Sequence, residues 1–270
     1  MHKVRIGTRG SPLALWQAHF VRDTIASLFP DHQVELVILD TKGDQIRDRA
    51  LSQIGSDGLF TKEIQLALLD NSVDIAVHSL KDLPTAKVAG LKLAAIPKRG
   101  STGDAFVSNT INSFAELPQN ATIGTTSLRR RSQAIYRRPD LNLVHLRGNV
   151  ETRLNKIESE KLDGIILAEA GLIRLGFESR IKEILDPEWM LPAVGQGALG
   201  LECRADDTNT LQLLSKLDDP ITHAETIAER SLLRNLGGGC LVPVGIRTKI
   251  TGDVVSLTAV VLSEDGKQRI

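Results

Sequence analysis

The sequence has few of the residues that mark specialised classes of protein. Its two cysteines, Cys203 and Cys240, are too few for the disulfide framework of a secreted domain and lack the spacing of zinc ligands. Aromatic residues make up 3% of the 270 residues, which disfavours a surface for stacking nucleic-acid bases. No apolar run approaches the roughly 20 residues of a membrane span, and the first residues contain no signal-peptide core. These absences predict a globular cytoplasmic protein.

Charge is balanced over the whole chain but not within it. Lysine plus arginine and aspartate plus glutamate both total 33, so the net charge gives no reason to expect a nucleic-acid or membrane partner. Between Thr122 and Ile157, eight basic residues stand against two acidic ones. Guanidinium groups bind carboxylates and phosphates through paired hydrogen bonds, so this segment predicts a ligand with several negative charges. For Arg137 and Arg138, a solvated basic helix face is the alternative.

Short β-branched runs alternate with helical patterns through roughly the first 200 residues, which predicts an α/β architecture with mainly parallel sheets covered by helices. Ser11 before Pro12 predicts a capped helix start. Thr222 and Glu225 predict a capping box for a later helix, and Gly237 is placed to end that helix.

Breaks in this alternation predict three domains. The segment 100–104 contains two glycines and separates two α/β sets, and after Gly239 the pattern changes to alternating strands. The expected domains are two α/β domains, residues 1–99 with 200–218 and residues 100–199, and a small α+β third domain, residues 219–270.

Two junctions between strand and helix carry candidate binding residues. Lys81 and Asp82 follow the apolar run 73–77, so we expect them at the carboxyl end of a buried strand, facing a cleft. There a lysine can hold an anion, while a carboxylate stabilises a developing cation or moves a proton. Arg9 and Ser11 lie at a similar junction, where both can bind an anion. An exposed turn is the alternative for Lys81 and Asp82, and simple helix capping is the alternative for Ser11.

Cys240 follows three glycines, residues 237–239. Glycine lets the backbone form a tight loop, and a thiol on such a loop is accessible for reaction, so Cys240 is a candidate for covalent attachment. A buried structural cysteine is the alternative, and it is the expectation for Cys203. The six histidines have neither metal-ligand spacing nor a nucleophile elbow, so we expect no metal site and a structural role for His78.

Nine segments, in order along nearly the whole chain, resemble the hydroxymethylbilane synthase (porphobilinogen deaminase) family. They are RIGTRGSPLALWQA, GLFTKE, VDIAVHSLKDLPT, GTTSLRR, LRGNVETRL, AEAGLIRLG, PAVGQGALGLECR, AERSLLRNLGGGC and VPVG. The resemblance implies three domains, the first two each like half of a periplasmic binding protein, with the active cleft between them and the cysteine loop on the third. One chain supplies both cleft and cofactor, so a monomer is expected.

The resemblance also implies the chemistry. A dipyrromethane cofactor, made from two porphobilinogen units, is attached by a thioether to Cys240. Successive porphobilinogens lose ammonia and add to its free end, and after four additions water releases linear hydroxymethylbilane. Asp82 matches the catalytic aspartate, which faces cationic ring nitrogens. The residues implied to hold the cofactor's carboxylates are Lys81, Ser11, Thr125, Ser127, Arg129 and Arg130. Those implied to hold the incoming substrate are Arg9, Gln17, Arg147, Arg153 and Arg174.

The sequence departs from the family pattern in three places. Thr126 replaces the usual serine and keeps the hydroxyl, and Asp57 replaces a basic residue or glycine in a segment that covers the cleft in relatives. Relatives continue beyond DGKQRI into further strand and helix, so the third domain is expected to be incomplete at its carboxyl end.

Two other functions remain open from the residues alone. A non-catalytic anion-binding module of the periplasmic-binding-protein type would share the two α/β domains, but it has no use for a cysteine loop. A nucleic-acid binder would use the arginines between 129 and 153, but zero net charge and few aromatic residues disfavour it.

Overall fold

The structure is a computed structural model that describes residues 2–41, 58, 61–237 and 242–270. Asp57 and Cys240, both singled out above, lie outside the described residues. The strands are β1 (His2–Thr8), β2 (His32–Ile38), β3 (Ile75–Ser79), β4 (Leu91–Ala95), β5 (Asp104–Val107), β6 (Thr122–Gly124), β7 (Asn142–Val144), β8 (Gly164–Ala168), β9 (Ile181–Ile184), β10 (Leu199–Arg204), β11 (Val244–Thr251) and β12 (Val254–Val261). The helices are α1 (Pro12–Leu28), α2 (Lys62–Leu69), α3 (Leu128–Arg137), α4 (Val150–Ser159), α5 (Glu169–Arg174), α6 (Thr208–Leu214) and α7 (Pro220–Asn235).

The described residues form two compact units. The first unit contains the residues up to Arg99 and those from Ala198 to Gly237, and the second contains Gly100–Gly197 and the residues from Val242 onward. Helix α7 belongs by its contacts to the first unit, and the β11–β12 hairpin belongs to the second, so a separate third domain over 219–270 stays a prediction. No helix in the described part of the chain is long and apolar enough to cross a membrane.

A five-stranded sheet with the order β2-β1-β3-β10-β4 forms the centre of the first unit. β1 runs parallel to β2 and β3, whereas β10 runs antiparallel between β3 and β4. The apolar residues of α1, Val21 and Ile25, join Ile6, Ile75 and Leu201 of the sheet in one buried cluster. Burial of such side chains is the main force that holds the helix on the sheet.

The second unit repeats this plan with the order β7-β6-β8-β5-β9. β6 runs parallel to β7 and β8, and β5 runs antiparallel between β8 and β9. In its core Phe106 and Phe114 meet edge to face, with ring centroids 5.8 Å apart. β11 and β12 form a separate antiparallel hairpin. The predicted class, two α/β units with helices packed on their sheets, is confirmed.

Side-chain caps set the helix starts that matter for the site. Ser11 Oγ accepts a hydrogen bond from the Ala14 N–H at 3.3 Å, and Pro12 takes the first helical position, as predicted. Ser127 caps α3 by accepting from the Arg130 N–H at 3.4 Å. Each of these two helices begins after a short connection from the strand that precedes it, β1 for α1 and β6 for α3.

The predicted start of α7 was wrong by a few residues. The helix begins at Pro220, and Asp219 caps it by accepting from the Thr222 N–H at 2.8 Å. Thr222 is buried within the first turn, and its Oγ accepts from the Arg99 N–H at 3.2 Å. An Asp-Pro start provides both the side-chain acceptor and the preset φ angle, so it takes precedence over the capping box. Gly237, with a φ of +63°, follows the end of the helix as predicted.

Candidate functional site

Asp82 ends a single 3₁₀ turn, Leu80–Asp82, directly after the buried strand β3. Leu80 is 1% exposed and anchors the turn in the core, while the side chain of Asp82 is exposed and that of Lys81 is half-buried. The Leu80 N–H donates to the Ala198 carbonyl at 3.0 Å, which ties the turn to the chain entering β10. The sequence prediction that Lys81 and Asp82 follow a buried strand is confirmed.

One pocket of the first unit brings four of the predicted site residues together: Arg9, Ser11, Gln17 and Asp82. The pocket lies where β1 gives way to α1 and β3 gives way to the Asp82 turn. Gln17 is buried, and its side-chain amide exchanges two hydrogen bonds with the Ser79 hydroxyl, at 2.8 and 3.1 Å. This pairing fixes α1 against the end of β3, and Asp82 lines the same pocket.

A buried pair lies beside this pocket. His78 lines the pocket, and its Nε2 atom lies 3.0 Å from Oε2 of Glu202, which also accepts from Gln65 at 3.0 Å. Burial alone would raise the pKa of the Glu202 carboxyl, but the close contact with His78, the hydrogen bond from Gln65 and the charge of Arg230 together outweigh burial and hold that pKa below its usual value. The expected structural role of His78 agrees with this arrangement. Glu202 was missed, because only the pairing of β10 with β3 brings it there.

In the second unit, Arg129 and Arg130 surround the carboxylate of Asp104. Arg129 and Arg130 are 5% and 6% exposed, and Asp104 is 1% exposed. Gln196 donates to the same carboxylate at 2.9 Å. Burial would raise the pKa of Asp104, but the two guanidinium charges and these hydrogen bonds hold it far below its usual value. Two cations against one anion leave this cluster with one excess positive charge.

Thr125 and Ser127 occupy the junction between β6 and α3. Thr125 is buried, and its Oγ1 accepts from the Ser127 N–H at 3.3 Å. Thr126 Oγ1 donates to the Leu146 carbonyl at 2.7 Å, which accounts for the retained hydroxyl at this position. The junction thus places hydroxyl groups and the start of a helix in one place, a combination that favours an anion.

The three remaining predicted arginines of the second unit differ in their contacts. Arg153 Nε donates to the Gly148 carbonyl at 2.7 Å, and Arg174 Nη2 donates to the Gly197 carbonyl at 2.6 Å. Burial lowers the pKa of Arg174. Arg147 precedes α4, and its Nη2 atom is buried without a hydrogen-bond partner among the described residues. A buried, unsatisfied donor of this kind fits an incoming carboxylate.

Of the two cysteines, Cys203 lies among the described residues. Cys203 is fully buried on β10, and burial, with a contribution from Asp207, raises the pKa of its thiol to about 11. This confirms the expected buried cysteine. Cys240 lies outside the described residues, so its predicted role as an attachment point stays a prediction.

Two family models match the chain in succession. Residues 4–212 match "Porphobilinogen deaminase, dipyromethane cofactor binding domain". Residues 223–270 match "Porphobilinogen deaminase, C-terminal domain". Together they account for most of the sequence, and the boundary between them falls near the start of α7.

Curated relatives give the same family. A porphobilinogen deaminase from Trichlorobacter lovleyi is 48% identical over 268 residues, covering 99% of this chain and 86% of the relative. One from Syntrophotalea carbinolica is 51% identical over 263 residues, covering 97% of this chain and 84% of the relative. A periplasmic substrate-binding protein of an ABC transporter from Coxiella burnetii is 16% identical, with a TM-score of 0.50 over 82% of this chain and 94% of that chain. That likeness concerns the fold alone.

The family models and the curated relatives agree with one another. On these grounds the chain belongs to the porphobilinogen deaminase family.

Proposed function

We propose that Asp82 is the carboxylate on which this chain's reaction depends. The chain is a transferase that condenses four porphobilinogen molecules, with loss of ammonia, on a dipyrromethane cofactor and releases linear hydroxymethylbilane by hydrolysis. The observation that supports Asp82 is its position: an exposed carboxylate on a turn anchored in the core, at a pocket with Arg9, Ser11 and Gln17.

The chemistry requires an anion at this point. When porphobilinogen loses ammonia, positive charge develops on the pyrrole nitrogen, and a carboxylate facing that N–H stabilises the charge. The Asp82 Oδ atoms accept a hydrogen bond from the pyrrole N–H, and the same carboxylate then takes part in removing the proton from the ring carbon that forms the new bond. The backbone that leads into Asp82 is held by the Leu80 N–H, which donates to the Ala198 carbonyl at 3.0 Å, so the turn that carries the carboxylate is fixed in the fold.

We propose that Cys240 carries the cofactor, which supplies the primer on which pyrroles are joined. The residues that hold the carboxylates of the cofactor are Lys81, Ser11, Thr125, Ser127, Arg129 and Arg130. The excess positive charge of the cluster around Asp104 supports this role for the two arginines, and the helix starts at Ser11 and Ser127 support it for the hydroxyl groups.

Substrate carboxylates are proposed to bind Arg9, Gln17, Arg147, Arg153 and Arg174. Arg147 has the strongest support, because its buried Nη2 atom finds no hydrogen-bond acceptor among the described residues. An unsatisfied buried donor costs about 1–3 kcal/mol, and the acetate or propionate of porphobilinogen removes that cost on binding.

We further propose that the protein is a cytoplasmic monomer and that residues 219–270 form its third domain. The separate family model over residues 223–270 supports this division.

The test is the intact mass of the purified protein with peptide mapping around Cys240. We expect an adduct of two linked pyrroles on Cys240, or its appearance after incubation with porphobilinogen. A Cys240→Ser variant should lack the adduct, and a Cys203→Ser variant, which removes the buried thiol, should retain it. An adduct elsewhere, or condensation by the Cys240→Ser variant, would contradict the proposed attachment.

A further inference from the structure

One arginine holds the chain immediately after Asp82. Arg230 lies on α7, and its guanidinium donates from Nη1 to the Leu83 carbonyl at 2.8 Å and from Nη2 to the Pro84 carbonyl at 2.7 Å. Hydrogen bonds from a charged donor are about twice as strong as neutral ones. A planar fork that holds two successive carbonyls therefore fixes both the position and the direction of the backbone there.

The residues before Asp82 are held by other contacts. Ser79 exchanges hydrogen bonds with Gln17, and the Leu80 N–H donates to the Ala198 carbonyl at 3.0 Å. Arg230 supplies the corresponding contact on the carboxyl side of Asp82. The positive charge of Arg230 also contributes to the lowered pKa of Glu202.

The helix that carries Arg230 is itself fixed in the first unit. The neighbouring residue Glu229 is 1% exposed and accepts from Arg99 Nη1 at 2.9 Å. At its amino-terminal end, Asp219 N–H donates to the Ile96 carbonyl at 3.0 Å. The last residue of α7 is Asn235, and Cys240 follows shortly after it in the sequence. The Asp82 turn is thus tied to the helix that precedes the proposed attachment cysteine.

We propose that Arg230 is a positioning residue for the condensation reaction: it holds the Asp82 turn on α7 and so keeps the carboxylate in place relative to the helix that leads to Cys240. This inference rests on the proposed role of Asp82. A displacement of about 1 Å at a reacting group can lower a rate on the order of 100-fold, so loss of this contact affects catalysis more than substrate binding.

The experiment compares Arg230→Ala and Arg230→Lys with Arg234→Ala, an exposed arginine one turn further along α7. We expect kcat of Arg230→Ala to fall on the order of 10- to 100-fold with little change in KM, while its mass still shows the cofactor adduct. Guanidinium ion, added below the concentration that unfolds the protein, should restore part of that kcat. Arg230→Lys should retain an intermediate kcat, and Arg234→Ala should match the unaltered enzyme.

Asp82→Ala separates this inference from the proposed function. If Asp82→Ala keeps normal turnover, the role of Asp82 is wrong and the positioning role is lost with it. If Asp82→Ala is inactive but Arg230→Ala keeps kcat within about twofold, only the positioning role is overturned. It is equally overturned if the Arg230→Ala loss is not recovered by guanidinium or by lysine, or if the variant lacks the adduct. If Arg230→Ala does not fold, the kcat and KM of Arg230→Lys decide the question.

Discussion

Arg129 and Asp104 form a buried, bidentate ion pair. Nη1 of Arg129 donates to Oδ2 of Asp104 at 2.6 Å, and Nη2 donates to Oδ1 at 3.2 Å. Arg130 Nε donates to the same Oδ1 atom at 2.9 Å. One carboxylate therefore orients both guanidinium groups proposed to hold the cofactor.

Replacing Asp104 by asparagine should strongly destabilise the protein. The substitution leaves two buried guanidinium groups without their counter-charge, and removing one partner of a buried ion pair typically costs about 3–5 kcal/mol. The free energy of unfolding, measured by urea titration, checks this. Asp140→Asn is the control, because its partner Arg138 is partly exposed and that pair should contribute little. Equal stabilities of the two variants would contradict the claim that the buried Asp104 ion pairs stabilise the fold more than the partly exposed Asp140 pair.

The contribution of Asp104 to stability should depend on pH in a defined window. Its pKa is lowered in the folded protein, so the stabilisation is fully present above the unfolded pKa of about 3.9 and is lost as pH falls towards the folded value. The difference in unfolding free energy between the unaltered protein and Asp104→Asn should narrow below about pH 4, by roughly 1.4 kcal/mol per pH unit. A constant difference between pH 5 and pH 3 would indicate that the carboxylate titrates normally.

Asp82→Ala should abolish condensation and leave the fold unchanged. The side chain is exposed on its turn, so its removal opens no cavity and breaks no core contact. Porphobilinogen consumption checks the loss of condensation, and the thermal unfolding midpoint, measured on the same preparation, checks that the fold is unchanged. Near-normal turnover would remove Asp82 from the reaction, and a large fall in the midpoint would mean that inactivity reflects unfolding.

Arg147→Ala should weaken substrate binding. Loss of a charge-assisted hydrogen bond costs about 1.5–3 kcal/mol, which corresponds to roughly a 10- to 100-fold rise in KM. Arg137→Ala removes an exposed arginine from the same basic segment and should leave KM unchanged. If both substitutions raise KM equally, the general positive charge of the segment explains binding better than a specific contact.

Cys203 should be unreactive in the folded protein. Its thiol is buried, and with a pKa of about 11 only a small fraction is thiolate at neutral pH. In a Cys240→Ser variant, a thiol reagent should label essentially nothing until denaturant is added, and then one thiol per chain. Rapid labelling without denaturant would show that β10 opens readily.

Local signals in the sequence predicted the positions of several site residues. The Ser-Pro pair at Ser11 and the apolar strand before Asp82 are each contained in a few neighbouring residues, and the structure has both where they were expected. The strands β5 and β9 were not among those that the sequence pattern predicted.

Long-range partners could not be predicted in this way. From the sequence, Asp104 would be expected to be an ordinary surface aspartate next to a turn. Only the sheet of the second unit brings it beside Arg129. Arg230 lies 147 residues from Leu83 in the sequence, and its helical spacing gives no indication that it holds that carbonyl. Residue type indicates what a side chain can bind, whereas the tertiary fold decides which partner it meets.

The strand β10 has a consequence for how the chain folds during synthesis. It lies between β3 and β4 but is made after the whole β5–β9 sheet, whose strands all fall within residues 104–184. On the ribosome, the β5–β9 sheet can therefore pair its strands while the facing edges of β3 and β4 in the earlier sheet are still unpaired. Those two edges stay available for wrong pairing until β10 emerges. Interruption of translation in this interval should produce aggregation-prone chains.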